Sequence, residues 1–246
     1  MRRRSLLAAA GGLLFMPYVS RAAVREETDL LLVMAADVSH SMQPADLRMQ
    51  REGYAGALRH PDVHRAIASG PCGHVAISYM EWSGFEDQRM ILPWTQICGA
   101  ADAIRVADAL LAAPQRVGNW TSISGAIAAS RRLMAAAPFE ADRRVVDISG
   151  DGENNNGEPV HRIRDQAVEE GIIINGLPIT RGPARPVLVG GTEMSPLEAH
   201  YREWVVGGIG AFVVPAQGFE SFAGAIRRKL ILEIAGLDAG PRYAVA

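Results

Sequence analysis

The 246-residue chain has two cysteines and only 6% aromatic residues. Two thiols cannot supply the dense cross-linking of a small disulfide scaffold. There is no internal repeat, which excludes a solenoid. Without a low-complexity stretch there is also no linker to separate two domains. A basic stripe interleaved with aromatics is missing too, so nucleic acid is a poor partner. The sequence contains no G-x-S-x-G turn, no H-E-x-x-H pair and no G-x-x-x-x-G-K-[ST] loop. Those gaps remove common signatures of esterases, zinc peptidases and nucleotide hydrolases. What remains is ordinary globular composition, 48% hydrophobic and 21% charged, enough for one sizeable core.

Residues 1–22 differ from the rest. Arg2, Arg3 and Arg4 precede an apolar run over residues 6–19, and Ser20 and Ala22 offer small side chains for cleavage. This pattern predicts a signal peptide at 1–22, too short for a comfortable membrane span, ahead of a domain over 23–246. The expected location is periplasmic or secreted. "RRSLL" resembles a twin-arginine signal, although ordinary secretory signals also begin with arginines. An uncleaved anchor is the structural alternative. Removing residues 1–22 takes the formal charge from −2 to −6. A moderately acidic domain has little attraction for nucleic acid or an anionic membrane.

In an exported protein, Cys72 and Cys98 suggest a disulfide. The β-branched and aromatic runs 73–82 and 88–94 flank the turn "SGFED". A hairpin centred on residue 85 brings the two cysteines to its open end. Two free thiols are the alternative.

Strand and helix patterns alternate along the rest of the chain. Strands are predicted over 29–39, 73–82, 88–94, 143–150, 172–179 and 211–216. Helices are predicted over 43–60, 101–113, 121–137, 159–171, 195–208 and 219–236. The fold class is therefore α/β: a doubly wound, mostly parallel six-stranded sheet, one antiparallel edge strand, and helices on both faces. Ligands of such sheets bind beyond the carboxyl ends of the strands.

Those ends carry oxygen-bearing side chains. "DVSHS" offers Asp37, Ser39 and Ser41; "NWTSIS" places Thr121 at a helix start; "VVDISGDG" places Asp151 at a strand exit. The five, in this order, resemble the metal-ion-dependent adhesion site of von Willebrand factor A domains, Asp-x-Ser-x-Ser followed by Thr and then Asp before Gly. Over nearly the whole mature length the chain is also similar to a family of exported bacterial A-domain proteins. The similar stretches include "ISYMEWSG", "RRVVDISGDGENNNG" and "GFESFAGAIRRKL".

The resemblance implies a divalent cation, Mg²⁺, with Mn²⁺ or Ca²⁺ as alternatives. Ser39 and Ser41 would bind it directly and Asp37 largely through water. Thr121 and Asp151 would alternate between the two modes. The implied function is a non-enzymatic adhesion-type module that captures an acidic group of a protein or peptide through the cation. The chemistry agrees: Mg²⁺ favours about six oxygens and retains waters. Hydroxyl ligands are neutral, so they leave the ion electrophilic.

Each residue has a plainer reading. The serines and Thr121 are good helix caps, and Asp151 before Gly152 suits a turn. His40, between the serines, is expected to point away from the cation. A metal-dependent hydrolase is the alternative function. "DISGDGENNNGE", residues 147–158, also fits an EF-hand loop by residue type, although "RRVVDIS" before it reads as strand.

Overall fold

The computed structural model describes residues 25–182 and 185–236, so the segment 1–22 lies outside the described residues. A six-stranded sheet forms the centre. Its strands in chain order are β1 (Leu31–Asp37), β2 (Val75–Trp82), β3 (Gln88–Ile97), β4 (Arg144–Gly150), β5 (Ile173–Thr180) and β6 (Ala216–Gln217). Across the sheet they run β3-β2-β1-β4-β5-β6, with only β2 and β3 antiparallel. The order reverses between β1 and β4, which pair from Leu31↔Arg144 to Ala36↔Ser149. That reversal is the switch point where doubly wound sheets open a crevice.

Every residue of β1 is buried. Alternate side chains explain this: Leu32, Met34 and Ala36 enter one core, Leu31, Val33 and Ala35 the other. The first core is closed by α1 (Pro44–Leu58), α2 (Pro61–Ala68), α3 (Ala100–Ala112) and α7 (Phe222–Ala235). The second is closed by α4 (Ile123–Ala135), α5 (Val160–Glu169) and the short α6 (Pro196–His200), which continues as a π turn over Tyr201–Val205. Helices α1 and α7 approach closely at Gly53, where a Cβ would sit 2.5 Å from the Phe222 ring.

Several expectations need correcting. The stretch 61–68 is a separate helix, because Pro61 starts α2 with His60 as its cap. Strand 211–216 shrinks to β6, Ala216–Gln217; before it, Val213 makes only an isolated bridge to Gly176. Pro215 lacks the N–H a longer ladder would need. The predicted helix 195–208 is five α-helical residues followed by the π turn. A two-stranded hairpin, Val187–Val189 with Thr192–Met194, was not predicted.

The expected disulfide is absent: Cys72 and Cys98 are both free and exposed. The hairpin forms as predicted near its tip, with Trp82 opposite Gln88. Register shifts between Ile77 and Met80 then move the pairing, so Val75 faces Ile97 at the open end. Each extra residue slides one strand along the other. Cys72 is also held elsewhere, its backbone N–H donating to Asp29 Oδ1 at 2.8 Å. Among the described residues no helix is long and apolar enough to cross a membrane.

Candidate metal centre

Strand β1 delivers Asp37 to the switch point with its side chain fully buried. The Ser39 backbone N–H donates to Asp37 Oδ1 at 2.7 Å, and Gln50 Nε2 on α1 donates to the Asp37 carbonyl at 3.0 Å. Ser39 and Ser41 follow in the turn before α1. Their hydroxyls lie 3.1 Å apart, and Ser41 Oγ donates to Asp151 Oδ1 at 2.6 Å. Asp151 stands just past β4, and Thr121 just before α4. A Cβ on Gly152 would lie 3.6 Å from Thr121 Oγ1, which brings the threonine against the Asp151–Gly152 turn. All five predicted residues therefore meet at one end of the sheet. His40 is exposed.

Asp37 Oδ2 is buried and has no hydrogen-bond partner among the described residues. Burial, with Asp151 close by, pushes the Asp37 carboxyl up to about 7. An unpaired buried carboxylate oxygen is costly, so it marks a position suited to a positive charge. The donor set also fits a hard cation: two carboxylates and three hydroxyls, with no thiolate or imidazole. Among the described residues, no group of three or more His, Cys, Asp or Glu side chains offers a rival site.

The stretch 147–158 is not a calcium loop. Asp147, the first EF-hand position, lies within β4 and is fully buried against Lys229, with Oδ1 2.7 Å from Nζ. Ser149, the third, lies 3.0 Å from the Tyr54 hydroxyl. The three asparagines turn inward as a latch. Asn154 Oδ1 accepts from Ser124 N at 3.0 Å, Asn155 Oδ1 from Thr121 N at 2.9 Å, and Asn156 Oδ1 from Phe85 N at 2.8 Å. They satisfy N–H groups at the start of α4 and in the hairpin turn, which fixes Thr121 relative to Asp151.

Two neighbours of the site escaped the sequence reading. Arg181, one residue past β5, donates from Nε to Asp151 Oδ2 at 2.6 Å and from Nη2 to Asp46 Oδ2 at 2.7 Å. Its guanidinium also lies 5.1 Å from the Phe219 ring centroid. Its position at a strand exit was the available signal. Tyr201, at the start of the π turn, is fully buried beside the site, and no periodic pattern announces it.

A 3-2-1-4-5-6 parallel sheet with one antiparallel edge strand, and this oxygen cluster at its switch point, define a von Willebrand factor A-type domain. Solved structures support the fold. Proximal thread matrix protein 1 from the mussel byssus aligns at TM-score 0.62 and 12% identity, over 86% of this chain and 49% of that one. BatB, a conserved hypothetical protein from Bacteroides thetaiotaomicron, aligns at TM-score 0.56 and 21% identity, over 84% and 98%. A von Willebrand factor type A structure from Catenulispora acidiphila aligns at TM-score 0.59 and 12% identity, over 84% and 43%. The chain thus spans about half the length of the mussel protein. The model of the family described as "Protein of unknown function (DUF1194)" matches residues 27–238, and the chain belongs to that family. No curated protein matches the sequence.

Proposed function

We propose that the protein is an exported, metal-dependent binding module that captures an acidic group of a protein or peptide partner. In this reading Asp37, Ser39, Ser41, Thr121 and Asp151 hold one divalent cation, Mg²⁺ in the first instance. The observation that carries it is the meeting of these five residues at one end of the sheet, with Ser39, Ser41 and Asp151 linked through their side-chain oxygens and Asp37 Oδ2 left unpartnered. The cation would supply an electrophilic position for a carboxylate. Arg181, its side chain 37% exposed at the rim, adds positive charge on the side from which a ligand arrives. One structure of the mussel matrix protein is described as having a zinc-occupied MIDAS motif, which supports a cation here in general terms. Other structural neighbours include the pilus adhesin SpaC, which favours binding over catalysis. Export rests on the arginine-led apolar segment 1–22.

The test is titration of the chelated protein with Mn²⁺ and Mg²⁺ by calorimetry. Asp37→Ala and Asp151→Ala should each weaken binding at least about tenfold, the scale at which even outer-shell partners register. Wild-type affinity in both variants would overturn the assignment.

A further inference from the structure

We propose that Tyr201 is a further residue of this centre, a positioning residue whose hydroxyl holds Asp37 Oδ2 through a single water. The proposal rests on the metal-centre reading above. Tyr201 is fully buried, and its hydroxyl, like Asp37 Oδ2, has no hydrogen-bond partner among the described residues. A buried hydroxyl left unpaired costs about 1–3 kcal/mol, so an isolated oxygen at this position is unfavourable.

Gly150 connects the two atoms. A Cβ built on it would lie 3.0 Å from Asp37 Oδ2 and 3.0 Å from the Tyr201 hydroxyl. The two oxygens therefore flank one notch, which exists because residue 150 has no side chain. They make no direct hydrogen bond, and two buried polar atoms that lie 3.0 Å from one common point are within reach of a single bridging water. The phenol O–H can donate to such a water, and the ionised Asp37 carboxylate can only accept from it.

The backbone supports this placement. Tyr201 opens a π turn, a rare geometry that recurs at functional sites. The ring belongs to the second core, among Val33, Ile148 and Val205. Phenylalanine would fill that core equally well. The oxygen is the part that packing does not explain, and it faces the carboxylate. With Ser39 N–H on Oδ1 and the Tyr201 water on one lone pair of Oδ2, the Asp37 carboxylate is oriented, and each oxygen keeps a lone pair for the cation or its water. Such outer partners orient and tune metal ligands.

The test uses the full chain and Mn²⁺ alone as probe. Tyr201→Phe removes one oxygen and keeps the ring. It should weaken Mn²⁺ about tenfold or more, while the melting temperature of the chelated protein stays level or rises. Gly150→Ala, which fills the notch, should weaken Mn²⁺ similarly, and the double variant should lose no more than the worse single one. Wild-type Mn²⁺ affinity in Tyr201→Phe, alongside loss in Asp37→Ala, would overturn the role of Tyr201 and leave the metal centre standing. Additive losses in the double variant would overturn the shared water. A wild-type protein that binds no Mn²⁺ would overturn both proposals.

Discussion

Asp37 sets the chemistry at the residue scale. Its carboxyl is pushed up to about 7, so protons compete with a cation for it near neutrality. Apparent Mn²⁺ affinity should therefore fall about tenfold between pH 8 and pH 6, as the carboxyl takes up its proton. A calorimetric series across that range checks this, and a flat profile would contradict it. The same shift acts on stability with a definite sign. The folded protein keeps a proton on Asp37 that the unfolded chain releases near 3.8. That contribution is complete below 3.8 and is lost as pH rises through about 7. Glu233, also raised to about 7 by burial, acts in the same direction. Chelated protein should thus melt at a higher temperature at pH 5 than at pH 7.5, and saturating metal should narrow the difference.

Elements place these residues, and the asparagine latch shows how. Asn155→Ala leaves Thr121 N–H without its acceptor, a loss of about 1–2 kcal/mol. A thermal melt should shift down by roughly 2–8 °C, and Mn²⁺ affinity should fall as Thr121 loosens. An unchanged melt would show that water replaces the amide oxygen fully. The sequence made the five candidate residues legible because each sits where a strand ends or a helix begins, and those boundaries have signals: an apolar run stopping, a cap appearing. The latch was not legible, because composition shows that asparagines are polar and not which N–H groups they accept from. The disulfide failed for a related reason. A midpoint argument assumes uniform pairing, and it passes over Pro93, which lies in the shifted stretch between Leu92 and Thr95 and is a residue that strands hold at edges and bulges. Arg181 and Tyr201 come from a strand exit and a π turn, where spacing predicts no partner.

At the scale of the whole molecule, sheet order and a buried charge cluster join the two ends of the chain's architecture. Lys229 on α7 lies against Asp147 of β4 at 2.7 Å and also pairs with Glu233; all three side chains are fully buried. Asn175 of β5 donates to Glu233 Oε1 at 3.0 Å. Helix, central strand and neighbouring strand are thus pinned together beneath the site. Lys229→Met would leave two carboxylates without their cation, costing about 3–5 kcal/mol. A melting temperature lowered by roughly 10 °C is expected, and a shift under about 2 °C would show that the carboxylates neutralise at little cost. Lys229 is also the only lysine in the chain. The intact fold therefore presents no ε-amine to solvent, and an amine-selective acylating reagent should find only the chain's α-amino group. Acylation at Lys229 would then record, molecule by molecule, the moments when α7 lifts from the sheet.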